Sequence, residues 1–142
     1  MGLYLEQVTK YINGFLVPIG CAEITSSMVS NYVKKRVIEP PVKKQYYADQ
    51  IGYLFFISIA KNVLSMKNIS DMFIIQKKTY DSATAYNYFC SEFENMLWHI
   101  CGLKDTVDTL GITDTKAKTI CRSVVISASH MLFTINCFES LN

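Results

Sequence analysis

Nowhere does this chain alternate polar and apolar residues for long enough to build a sheet, which sets aside most β and α/β architectures. Charge is scarce too, at 18% of residues where a typical domain carries about 25%. Half of the residues are hydrophobic, with nine Tyr and eight Phe. That composition excludes disorder and points to a compact fold with apolar surface left over for a subunit contact. The six glycines are scattered. There is no phosphate-cradling glycine loop, no Gly-x-Ser-x-Gly and no His-Glu-x-x-His. Glu92 and Glu94 flank Phe93 and so point apart on a helix, and His99 and Cys101 are two residues apart and share no helical face. The expectation is a binding protein rather than an enzyme.

Five cysteines, Cys21, Cys90, Cys101, Cys121 and Cys137, are widely spaced and form no Cys-x-x-Cys knuckle. Together with His99 and His130 they offer no zinc-ligand spacing, and they read as small buried hydrophobes in a reducing compartment. No metal and no cofactor is expected. A bilayer span needs about 20 apolar residues. The apolar stretch Ile51 to Ala60 is too short, and Ile120 to Phe138 contains Arg122, His130, Asn136 and several Ser. The N-terminal residues are amphipathic and lack a basic leader. A cytoplasmic protein without a membrane partner is expected.

The excess of positive over negative charge is concentrated in one segment. Residues 26–47 hold Lys34, Lys35, Arg36, Lys43 and Lys44 against the single acid Glu39, a net of +4, while the whole chain is +2 and the remainder therefore −2. Phosphate contacts supply most non-specific affinity for nucleic acid, so a local basic patch is the electrostatic signature to look for.

Helical spacing dominates the rest. Leu5, Val8, Ile12 and Phe15 predict a first helix over Leu3 to Phe15, closed by Gly14 and Pro18. Thr25 is a good N-cap for a second helix with Met28, Val29, Tyr32 and Val33 on its apolar side. Pro40 and Pro41 forbid further helix, and residues 42–46 make a short extended arm. A third helix, about Ala48 to Leu64, is the most apolar. A short fourth is capped by Ser65 and frays at Lys77-Lys78-Thr79. The fifth runs from about Ser82 to Ile100 and ends at Gly102. A connection over 103–112 leads to a last helix capped by Thr113. In that helix Ala117, Cys121, Val124, Ala128, Met131, Ile135 and Phe138 repeat by four and three residues, a seam that suits an internal core or a second chain equally.

The order Thr25, Val29, Tyr32, Lys34, Val37-Ile38, Pro40, Lys44, Tyr46, Ile51, Leu54, Ile59, Leu64, Ile69 resembles the MerR-type winged helix-turn-helix. From about Leu5 to Leu103 the chain also resembles an uncharacterised bacterial domain-of-unknown-function family. The resemblance rests on Thr25, Ser27-Met28-Val29, Asn31-Tyr32-Val33-Lys34, Pro41, Lys43 and Tyr46. It departs from the MerR pattern at Arg36, where those proteins have glycine, at Ser30, where they have arginine, and at Tyr47, where relatives often have a serine cap.

The resemblance implies an all-α protein. Residues 1–79 would form a MerR-like DNA-binding module and residues 80–142 a helical pair for dimerisation or effector binding. On that reading Ser26, Ser27, Ser30 and Asn31 meet base edges, Lys34, Lys35 and Arg36 hold phosphates, and Lys43, Lys44 and Tyr46 grip the flanking backbone. The expected partners are duplex DNA and a second copy of the chain, and the sequence names no effector. The competing expectation, favoured by Ser30 and the small net charge, is an all-helical protein-interaction module with a degenerate helix-turn-helix.

Overall fold

The computed structural model describes residues 1–102 and 115–141. In chain order these form β1 (Leu3–Tyr4), α1 (Leu5–Leu16), a 3-10 turn (Val17–Ile19), α2 (Ser26–Lys34), β2 (Gln45–Tyr46), α3 (Ala48–Ala60), α4 (Met66–Thr79), α5 (Ser82–Ile100) and α6 (Lys116–Glu139). The protein is mostly helical, with one two-stranded sheet among the described residues. It divides into two compact units, Met1–Ile59 and Ala60–Asn142. The division therefore falls at the end of α3 and not after residue 79.

In the first unit β1 and β2 pair antiparallel, with Leu3 opposite Tyr46 and Tyr4 opposite Gln45. The first helix consequently begins at Leu5 rather than Leu3, and it runs through Gly14 to Leu16 before Pro18 enters the 3-10 turn. The same local device starts two helices. In Tyr4-Leu5-Glu6-Gln7 the Gln7 Oε1 accepts from the Tyr4 amide at 2.8 Å. In Tyr47-Ala48-Asp49-Gln50 the Gln50 Oε1 accepts from the Tyr47 amide at 2.7 Å. Each glutamine satisfies an amide that the first helical turn leaves open, and the acid before it faces the positive end of the helix dipole. Gly2 sits hard against β2, since a Cβ there would lie 2.7 Å from the Gln45 Cβ. The core gathers Val8, Ile12, Leu16, Ile24, Val29, Tyr32, Val37, Ile38, Tyr46 and Leu54. α3 is buried on nearly all sides, as an all-round apolar helix must be. Its Ser58 donates to the Leu54 carbonyl at 2.8 Å.

The second unit holds α4, α5 and α6. α4 does not fray at its lysine pair. Gln76 Nε2 donates to the Tyr80 carbonyl at 2.8 Å and the Tyr80 amide returns to the Gln76 carbonyl, while Lys77 and Lys78 face the negative end of the dipole. α5 is capped by Asp81, and Gly102 at φ 79° follows its last turn. α6 is capped by Thr115; Thr113 and the expected 103–112 connection lie outside the described residues. The contacts of α6 advance in step with those of α5. Tyr80 meets Thr115 at 3.1 Å, while Tyr88 and Glu92 both meet Arg122. The two helices therefore run in the same direction.

Their contact encloses charge. Glu92 is buried, with Tyr88 donating to its Oε1 at 2.7 Å and Arg122 Nε at 3.4 Å, and Arg122 Nη2 donates to the Tyr88 oxygen at 3.2 Å. Lys118 lies over the rings of Tyr80 and Tyr88. The buried face of α5 is thus Phe89, Glu92, Asn95 and Met96, a carboxylate and an amide between two apolar side chains. A carboxylate is tolerated there because cation and hydroxyl replace the water it loses.

Burial first, and the Glu92 carboxylate second, push the Tyr88 hydroxyl up to about 12. Burial, with Glu92 adding to it, also takes the Cys121 thiol up to about 12. Both groups stay neutral in the fold and ionise more readily once unfolded, so their contribution is complete below about pH 9 and is lost as pH rises toward 12. Urea midpoints measured from pH 8 to 11 should fall steadily, and the fall should be smaller in Tyr88→Phe. An identical fall in both proteins would show that Tyr88 does not carry the effect.

Candidate nucleic-acid interface

Two side-chain amides hold the segment that carries the basic residues. Asn13 on α1 donates to the Ile24 carbonyl at 2.9 Å and accepts from the Ile24 amide at 2.8 Å. This pair fixes the residue before Thr25, whose hydroxyl then accepts from the Met28 amide at 3.2 Å and starts α2. At the far end Gln50 Nε2 donates to the carbonyls of Pro40 at 2.7 Å and Glu39 at 3.3 Å. The Glu39 and Pro40 carbonyls lie outside any helix or strand, and the buried Gln50 supplies the donor they need.

Along α2, Val29 and Tyr32 are buried, and Ser27, Ser30, Asn31 and Lys34 are exposed at helical spacing, making one polar face. Ser26 is half-buried at the first turn. Lys35 and Arg36 follow and are exposed. The helix ends in a Schellman arrangement in which the Arg36 amide donates to the Val33 carbonyl at 3.0 Å and the Val37 amide to the Tyr32 carbonyl at 2.9 Å. This geometry requires a left-handed residue, and Arg36 supplies it at φ 59°. A recess of about 290 Å³ beside it is lined by Val33, Lys34, Arg36, Ile38, Glu39 and Pro40.

The arm over residues 42–46, the one stretch expected to be extended, is a tight hairpin. Val42 and Gln45 exchange both backbone hydrogen bonds at 3.0 Å. Between them Lys43 at φ 50° and Lys44 at φ 65° are both left-handed and exposed. Positive φ at both central residues marks the two-residue turn that matches the twist of paired strands, a position usually filled by Asn-Gly. Tyr46 follows in β2 and is 4% exposed. Its ring packs in the core, burial raises the pKa of its hydroxyl, and it leaves the set of backbone-contacting residues expected from the sequence.

Among the described residues, the non-glycine positions with positive φ are Arg36, Lys43 and Lys44. Each left-handed L-residue costs on the order of 1–2 kcal/mol. Three basic residues therefore stand where glycine or asparagine is the stable choice, all of them on the surface. The MerR resemblance places Arg36 at a glycine position, while the two lysines leave only a faint trace in the sequence. Their signal was a two-residue gap between Val42 and Gln45, too short to carry a period.

Arg36→Gly should raise stability by roughly 1 kcal/mol, and Lys43→Asn with Lys44→Gly by about the same again, because the left-handed backbone is then unstrained. Thermal melting checks this, and a lower midpoint in either variant would show that the long side chains stabilise the fold by more than the strain they impose. Gln50→Leu leaves two carbonyls and one amide without a partner and should cost roughly 2–4 kcal/mol, read as a reduced urea midpoint.

Comparison with known proteins supports the resemblance to an uncharacterised domain family. No curated protein and no solved structure matches the chain. A family profile described as a domain of unknown function, DUF1836, matches residues 1–89. The match takes in both glutamine-started helices, the α2 cap, the hairpin and α4, and it ends within α5 at Phe89. The chain belongs to the DUF1836 family.

Proposed function

We propose that residues 1–59 are a MerR-like winged helix-turn-helix that binds duplex DNA, with the protein acting as a dimeric transcriptional regulator and not as an enzyme. The observation that carries this reading is the placement of Arg36, Lys43 and Lys44 in left-handed backbone on the surface. Strained residues persist where the strain serves a purpose, and three cations held at turn tips suit a phosphate backbone. α2 offers Ser26, Ser27, Ser30 and Asn31 toward base edges, with asparagine able to pair with adenine. Lys34, Lys35 and Arg36 take phosphates at its end. The hairpin of Lys43 and Lys44 takes the part of the wing, with β1 and β2 as its base.

Duplex DNA binding measured against salt tests the proposal. Each phosphate contact contributes a slope of about −0.9 in log K against log salt. Five basic residues on each of two protomers give an expected slope magnitude of roughly 4 to 7, since not all of them reach the backbone. Lys43→Ala with Lys44→Ala should cut that magnitude by up to about four and weaken all sequences alike. Asn31→Ala should reduce discrimination between sequences by about 1–3 kcal/mol per base contact. Absence of binding at about 50 mM salt would sink the proposal and leave the protein-interaction reading in its place.

A further inference from the structure

α6 has two apolar faces, and among the described residues one is buried and the other exposed. Ala117, Cys121, Val124, Val125, Ala128, Ser129 and Leu132 are buried, and no residue of the helix beyond Leu132 is. On the opposite side Ile126, His130, Phe133 and Cys137 follow one another by three or four residues and form a second stripe, and Leu141 follows in the turn after the helix. Ile126 is 36% exposed, Phe133 43%, Leu141 80%, and the neighbouring Phe138 67%. From Ser123 to Phe138 there is no Asp, Glu, Lys or Arg at all.

We propose that this stripe is the surface on which a second copy of the chain docks. Solvent-facing helix surface is ordinarily charged, while the centres of protein interfaces are depleted of charge. An uncharged face is also complementary to itself, which a two-fold contact between identical chains requires. The exposed parts of the four large side chains come to roughly 400–500 Å² per protomer. A pair of copies would then bury about 800–1,000 Å² of apolar surface, the lower end for specific interfaces, which points to micromolar association. α6 is 24 residues long with a mean hydropathy of 1.3 over its most apolar window, enough by length and composition to cross a bilayer. A third of that window is buried within the protein, however, and Arg122 is tied to Glu92. Crossing a bilayer would carry that ion pair and the polar residues of α5 into hydrocarbon, where charge is costly. The surface deepens the dimeric part of the DNA-binding reading and rests on that reading only for its purpose. Its test contains no DNA, so either can fail alone.

Sedimentation of the full chain from 1 to 100 µM should show a monomer–dimer equilibrium with a micromolar dissociation constant. Phe133→Lys with Leu141→Lys should weaken it at least tenfold while circular dichroism and the melting midpoint stay unchanged, since both residues are exposed. Should that variant not fold, hydrogen exchange on the unaltered protein decides. Protection over 126–141 that rises with concentration supports the contact, and protection independent of concentration overturns it. A monomer throughout the range, or a double variant that dimerises like the parent, also overturns it. Flotation of a monomeric protein with phosphatidylcholine vesicles overturns it in favour of a bilayer.

Discussion

The carboxamide of Gln50 is the interaction on which the first unit depends. One side chain accepts from the Tyr47 amide and donates to the carbonyls of Glu39 and Pro40. It therefore starts α3 and holds the proline segment that follows α2. Between these points lies the hairpin of Lys43 and Lys44, so the amide sets where both of its ends leave the core. Asn13 does the corresponding work at the entrance to α2 by bonding both backbone groups of Ile24. Neutral amides suit the task because each donates and accepts at once. An aspartate or glutamate in either place could only accept.

Held in this way, the segment tolerates backbone that few residues choose. Arg36, Lys43 and Lys44 each sit at positive φ, and each is preceded or followed by backbone hydrogen bonds that leave it no alternative. Stability and the proposed function pull in opposite directions here. Glycine or asparagine would relax the turns and remove the charge.

The second unit uses a different constraint. Glu92, Tyr88 and Arg122 close on one another across two helices that run in the same direction. Removing one partner from such a group leaves a buried charge uncompensated, a penalty of roughly 3–5 kcal/mol. The cluster ties Tyr88 and Glu92 of α5 to Arg122 of α6. Glu92 and Arg122 are separated by 30 residues in the chain.

Much of the architecture was legible in the residues themselves. The Thr25 and Ser65 caps, the double-proline stop, the span of α5 and the Gly102 end all follow from short-range chemistry, in which a side chain satisfies backbone within about four residues. That the charge is concentrated between Lys34 and Lys44 is likewise a property of the chain alone. What escaped was set by partners distant in sequence. β1 exists because Leu3 and Tyr4 meet Gln45 and Tyr46, and two residues are too few to show a period. Tyr46 belongs to the core and not to the surface because that pairing turns it inward. Glu92 is buried because Arg122 reaches it, and Glu94 two positions on is exposed. Helix caps and helix faces are local, so the sequence determined them. Strand pairing, the burial of a single charge and the left-handed lysines depend on which segments come together, and only the tertiary structure decided those.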